Sequence, residues 1–386
     1  MESQDPFGKK QLSYTALENL TTRYLPMARP SYMVVDLAAL IANYQWARQL
    51  APQAQTMAVV KANAYGHGAV ACARALQPSV PAFAVACIEE AMELRDANIT
   101  KPILLLEGTF TADEIAVAAA QDFWLMVENP LQVEAILNAQ VCKPLKVWIK
   151  IDTGMHRQGL HPSKIKGYHA QLMASPKVLD EMVFATHFAS ADELSNDLTQ
   201  IQLQQFLQTT KSFEQALSLA NSAAIMAWPK AHADWNRAGY MLYGNSPLDQ
   251  DHPSSQGLKP VMQLWSSVIS MRQIETGESV GYGQSWHALR PSTIATVAIG
   301  YGDGYPRSAA SGTPVLVNNQ RASLVGRVSM DMITIDVTEL SETKIGDPVC
   351  LWGPGLNINE VAQHAGTIGY ELMTRMTQRL PIRYID

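Results

Sequence analysis

The 386-residue chain is short of charge and of cysteine: 17% of its residues are Asp, Glu, Lys or Arg, and it carries four cysteines. Cys72, Cys87, Cys142 and Cys350 lie far apart, with no CxxC pair and no histidines at zinc-finger spacing. They read as reduced thiols of a cytoplasmic protein with no bound metal, not as a disulfide framework. The chain has no long Lys/Arg run and a formal net charge of -6, so it lacks the footprint of a nucleic-acid or acidic-membrane binder. Nowhere do about 18 apolar residues follow one another, and the N-terminus lacks the apolar stretch of a signal peptide. These absences count against export and against a membrane anchor, and leave a small molecule as the expected partner.

What is present is apolar residue in quantity, 47% of the total, enough for a large core and a second domain. Residues 1–28 are polar around Asp5 to Lys10 and show no clear periodicity, so they read as an N-terminal extension, native or left by cloning. From Met57 onward, short apolar runs alternate with longer mixed segments of helical character. The runs are Met57–Val60, Phe83–Ala86, Ile103–Leu106, Phe123–Val127, Val147–Ile151 and Val183–Thr186, with fainter candidates at Leu219–Ser222 and Gly239–Tyr243. Short continuous runs suit strands buried on both faces. Eight of them, alternating with helices, predict an α/β fold: an N-terminal (β/α)8 TIM-like barrel over residues 29–258. An open doubly wound sheet is the alternative.

The texture changes after Pro260. Thr293–Ile299, Thr313–Val317 and Met332–Val337 alternate as antiparallel strands do, between Gly and Pro turns. A mostly β C-terminal domain over residues 259–386 is expected, with a helix at Asn357–Ala365.

One lysine stands out. In Ala58-Val-Val-Lys61-Ala-Asn-Ala-Tyr65-Gly-His-Gly68 an apolar strand ends on Lys61 and runs into a Gly-rich turn. Catalytic groups of barrel enzymes sit at the carboxyl ends of strands. A lysine there is partly desolvated, which favours a nucleophilic amine. The bland reading is a lysine that snorkels to the surface.

This run closely resembles the cofactor signature of alanine racemases, and further matches in the right order extend the resemblance from Arg29 to the C-terminus. In that family the matching lysine forms a Schiff base with pyridoxal 5'-phosphate. The resemblance implies a barrel, a C-terminal β domain, and a homodimer whose active sites are shared between subunits. It places Tyr65, Ser222, Gly239 and Tyr240 at the cofactor phosphate and Arg237 at the pyridine nitrogen. Without it, Arg237 would be read as a surface ion pair with Asp234. Arginine stays protonated and cannot readily give a proton to the ring, so the electron sink would be a modest one, suited to racemisation.

Racemisation removes the α-proton on one face and returns it on the other, most simply with two acid/base groups. The resemblance assigns Lys61 to one face and Tyr282, in Gly281-Tyr-Gly, to the other, with Tyr282 supplied by the partner subunit. A phenol is a poor base near neutral pH unless its anion is stabilised, and His187 is the expected hydrogen-bond partner, leading toward Arg237. Arg157 matches a residue that grips the substrate carboxylate, a task its bidentate fork suits. Lys150 matches a position carbamylated in many members, where the carbamate orients the arginine. Tyr301, Met330 and Asp331 match substrate-facing and entryway positions. Where some relatives carry a phosphate-contacting tyrosine, this chain has Gln378, which puts that contact in doubt.

The function expected is interconversion of L- and D-alanine, supplying D-alanine for peptidoglycan or serving L-alanine catabolism. A racemase of broader specificity is the alternative enzyme. A related decarboxylase fits less well, because Arg157 would retain the carboxylate. A non-catalytic pyridoxal phosphate carrier shares the strand-end lysine but lacks the Tyr282, Tyr301 and Met330-Asp331 motifs.

Overall fold

The computed structural model describes residues 29–386. The expected extension, 1–28, lies outside the described residues.

The chain opens with β1 (Tyr32–Asp36), whose side chains alternate between buried and half-buried positions as a strand with one covered face requires. This strand joins the second of two large sheets, antiparallel to β10 (Met262–Ile274) and parallel to β18 (Ile382–Ile385). Asp36 then caps the helix Leu37–Leu50, its carboxylate accepting from the Ala39 backbone N–H at 2.7 Å.

Between β1 and β10 lie the eight strands of the barrel: β2 (Gln55–Val59), β3 (Phe83–Val85), β4 (Ile103–Leu105), β5 (Phe123–Val127), β6 (Val147–Lys150), β7 (Val183–Ala185), β8 (Ala216–Ser218) and β9 (Trp235–Ala238). All pairs are parallel, in the spatial order β8-β7-β6-β5-β4-β3-β2-β9. The seam between β8 and β9 is bridged by Arg237 N–H donating to Ala220 O at 2.9 Å and Ser218 Oγ donating to Trp235 O at 2.9 Å. The sheet is thus a nearly closed barrel, and the open doubly wound alternative is excluded. Met57, Leu104, Met126, Trp148, Val183 and Trp235 fill its interior, and helices cover the outside, so most of these strands are buried along both faces.

The last two barrel strands fall three to five residues earlier than the sequence pattern predicts, at Ala216–Ser218 and Trp235–Ala238 in place of Leu219–Ser222 and Gly239–Tyr243. Tyr240–Tyr243 is a tight 3-10 turn. Its four side chains are all buried, and the Tyr243 hydroxyl donates to Val59 O at 2.9 Å. A short apolar run cannot distinguish a buried turn from a buried strand, and Asn236 and Arg237 disguise the true one.

The second sheet adds β13 (Ser292–Val297), β14 (Pro314–Val317), β15 (Gln320–Leu324), β16 (Ile333–Asp336) and β17 (Pro348–Trp352); β11 (Ser279–Val280) and β12 (Trp286–His287) form a separate hairpin. Its spatial order is β13-β16-β15-β14-β17-β10-β1-β18. The long β10 pairs with β13 from Val268 onward and changes register against it between Val268 and Ser270. A helix at Ile358–His364 fulfils the expectation for Asn357–Ala365, and a second, Gly369–Thr374, follows it to the mouth of the barrel. Among the described residues no helix is long and apolar enough to cross a membrane.

Candidate active site

Beyond the carboxyl end of β2 the backbone does something costly. Ala62, Asn63, Ala64 and Tyr65 all have φ between 51 and 53°, a left-handed turn built without glycine. Each such residue costs roughly 1–2 kcal/mol, so the turn persists only because its surroundings hold it. Glu90 accepts from the Ala62 N–H at 2.7 Å, and Asn63 Oδ1 accepts from Ala69 N–H at 2.7 Å. His67 lies fully buried, with Nδ1 2.9 Å from Ala64 O and 3.1 Å from Tyr65 O. From the second domain, the Tyr384 hydroxyl donates to His67 O at 3.2 Å. At Gly66, φ is 83° and a Cβ would sit 2.2 Å from Met373 O, so only glycine allows the two domains to close here.

This turn aims Lys61 into a cavity of about 520 Å³ at the carboxyl ends of the strands. Its walls include Tyr65, Lys150, Arg157, His187, Ser222, Arg237, Gly239 and Tyr240, which the sequence had singled out from five separate segments. Among the described residues, the cavity is lined by four cations, Lys61, Lys150, Arg157 and Arg237, and by two carboxylates, Glu107 and Glu371. Such a wall favours an anionic ligand.

Arg237 is buried, not paired at the surface with Asp234, whose carboxylate instead accepts from the Leu217 N–H. Its guanidinium donates to Ser218 O (3.0 Å), Ser218 Oγ (2.6 Å), Thr186 O (2.6 Å) and Leu219 O (3.1 Å). Burial pulls its pKa from 12.5 down to about 10, which leaves it charged at neutral pH. His187 is driven well below 6.5, first by burial and then by Arg237, Arg157, Lys150 and Lys61, so it stays neutral. Burial lifts the Tyr65 hydroxyl to about 12 and keeps it a proton-bearing donor.

Opposite Lys61, the Ser222 hydroxyl accepts from Gly239 N–H at 2.9 Å and Met241 N–H at 3.3 Å. A Cβ on Gly239 would come within 2.7 Å of the Tyr65 hydroxyl, so the missing side chain keeps a small polar cradle open between them. The Tyr240 hydroxyl is already engaged, donating to Asn359 Oδ1 at 2.6 Å, while its ring stacks on Tyr370 at 3.6 Å. That leaves its backbone for ligand contact.

Residues from three further places were not foreseen. Tyr370, with Ile368, Glu371 and Thr374, brings the second domain into the cavity wall. Asn359 orients Tyr240. Glu128, just behind the wall, pairs with Lys150 at 2.9 Å. None of them lies in a local motif.

Four expected residues stand apart from this cavity. Tyr282 occupies a turn between Gly281 and Gly283 and is 71% exposed. Tyr301 and Met330 are 38% and 53% exposed, and their segments are joined by Tyr301 N–H to Ser329 O at 3.0 Å. Asp331 accepts from Arg379 at 2.6 Å. A single copy of the chain does not bring these side chains to Lys61.

Two family models cover nearly all of the described chain: alanine racemase, N-terminal domain, over residues 35–247, and alanine racemase, C-terminal domain, over 261–384. The chain is 50% identical over 358 residues to the alanine racemase of Chromohalobacter salexigens, covering 93% of this chain and 98% of that one. The crystal structure of biosynthetic alanine racemase from Pseudomonas aeruginosa superposes with a TM-score of 0.90 at 49% identity, over 93% of this chain and all of that one. Alanine racemase from Bartonella henselae, solved with covalently bound pyridoxal phosphate, matches with a TM-score of 0.83 at 31% identity, over 92% and 99% of the two chains.

Proposed function

The chain belongs to the alanine racemase family, and from that premise we propose that its cavity holds pyridoxal 5'-phosphate on Lys61 and interconverts L- and D-alanine. The observation that carries this reading is the convergence of Lys61, Arg157, Arg237 and the Tyr65–Ser222–Gly239 cradle on one cavity. The cradle suits a phosphate: two hydroxyls and a site left bare at Gly239 face a wall with an excess of cations. Arg237, held by four oxygen acceptors, suits the ring nitrogen as a fixed hydrogen-bond donor.

When bound, the cofactor supplies the electron sink that acidifies the α-carbon of the amino acid. Arg157 grips the substrate carboxylate and so fixes which way the α-hydrogen points. Lys61 moves the proton at its Nζ on one face. Tyr282 of the partner subunit moves it at the phenolic oxygen on the other. His187, neutral at working pH, donates a ring N–H to that phenolic oxygen and eases its ionisation. The exposure of Tyr282, Tyr301 and Met330 outside their own cavity supports a homodimer in which each copy completes the other's site.

The test is incubation of the cofactor-loaded protein with L-alanine in D2O, followed by chiral chromatography with mass analysis. D-alanine carrying deuterium at the α-carbon is expected. Absence of both D-alanine and exchange would refute the reading.

A further inference from the structure

Lys150 ends β6 and Glu128 follows β5, and the register Val127 beside Ile149 sets the two next to each other across the barrel. Their side chains are 12% and 5% exposed, and Lys150 Nζ donates to Glu128 Oε2 at 2.9 Å and to Gln158 Oε1 at 3.1 Å. The backbone repeats the connection: Gly159 N–H donates to Glu128 O at 3.2 Å, and Leu160 N–H to Lys150 O at 2.8 Å. Gln158, Gly159 and Leu160, the residues immediately after the arginine assigned to the substrate carboxylate, are therefore tied to both of these positions.

We propose that Glu128 holds Lys150 as an unmodified ammonium, and that Glu128, Lys150 and Gln158 together position Arg157 without a lysine carbamate. This rests on the racemase reading for the role of Arg157. Carbamylation requires a neutral amine: its lone pair forms a bond to the carbon of carbon dioxide, one proton leaves nitrogen, and a carbamate anion results. At Lys150 that would replace an ammonium by an anion beside a buried carboxylate and turn attraction into repulsion. Burial lowers the Lys150 pKa and raises that of Glu128, while the attraction between them opposes both shifts. Arg157 also acts on Glu128, holding its carboxyl down against burial. Glu128 already places one carboxylate 2.9 Å from Lys150 Nζ. It is a positioning residue, acting through Lys150 and Gln158.

The experiment is carbon-13 NMR of the cofactor-loaded protein in carbon-13-labelled bicarbonate, without substrate, with Lys150→Ala as the control for assignment. Wild type should show no protein-bound carbamate, whereas Glu128→Gln, which keeps the shape but removes the charge, should take up carbon dioxide at Lys150. Glu128→Asp should take up none. In carbon-dioxide-free buffer the Glu128→Gln KM for alanine should rise on the order of tenfold while kcat stays within about threefold, and bicarbonate should reverse the rise. A wild-type carbamate resonance lost in Lys150→Ala overturns the proposal, and that measurement decides even where Glu128→Gln is unstable. A folded Glu128→Gln protein that takes up none overturns it too. Because the resonance is read without alanine, a protein that fails to racemise would sink the functional reading and leave this result interpretable.

Discussion

Acidification from about pH 7 to about pH 5 should weaken the fold through His67, the residue that pins the left-handed turn behind Lys61. Its ring is fully buried, stacks on Tyr243 at 4.5 Å, and faces two carbonyls through Nδ1, so the neutral ring donates there. Nε2 is buried with no hydrogen-bond partner among the described residues, and a proton placed on it would find no acceptor among them. Burial accordingly lowers the pKa from 6.5 to about 4, against a smaller raising effect of the two carbonyls. The unfolded chain binds this proton below about pH 6.5 and the native protein does not until about pH 4. Stability is therefore lost as the pH falls through that window and levels off below it. At 1.36 kcal/mol per pH unit the full loss is about 3 kcal/mol, of which about 2 kcal/mol falls between pH 7 and pH 5.

Urea unfolding at both pH values, in wild type and in His67→Asn, isolates this group from the other titrating side chains. The variant loses the stacked ring and should be weaker at about pH 7, but its further loss on acidification should be smaller by about 2 kcal/mol. Parallel losses in the two proteins would refute the argument, because the pH dependence would then come from elsewhere.

Two further outcomes follow from the same geometry. Ala62 is exposed with φ at 51°, so Ala62→Gly relieves strain of roughly 1–2 kcal/mol against an unfolded-state cost of about 0.4–1 kcal/mol, and should stabilise by up to about 1 kcal/mol; a lowered thermal midpoint would contradict it. Lys61→Ala and Tyr282→Phe should each be nearly inactive alone, yet unfolding and refolding them together should recover about a quarter of wild-type activity. About half the refolded dimers would be mixed, each with one intact site built from both chains. No recovery on mixing would place Lys61 and Tyr282 in the same subunit's site.

How legible the molecule was in its sequence depends on whether a signal is local. Lys61 and the turn after it lie within ten residues, and the chemistry is written in their order. The barrel strands were legible where both faces are buried, because Phe83–Val85 or Ile103–Leu105 leaves no polar residue to confuse the run. Glu128 was not legible. Val127-Glu-Asn-Pro130 reads as a strand end followed by a helix cap, and Asn129 does cap the helix Pro130–Asn138. Only the register of β5 against β6 makes Glu128 the neighbour of Lys150, 22 residues away. Tyr370 and Asn359 were hidden for the same reason, since they meet Tyr65 and Tyr240 only after the second domain folds back onto the barrel.

The misplaced strand β9 has a different cause. Asn236 and Arg237 break the apolar pattern of Trp235–Ala238, and Arg237 is a group that the cavity requires. A buried cation in a strand is a local error that four oxygen acceptors offset. The pattern failed there because the position serves the ligand before it serves the core. Neutralising that charge should accordingly weaken the cavity's hold on an anionic ligand while leaving the strand in place.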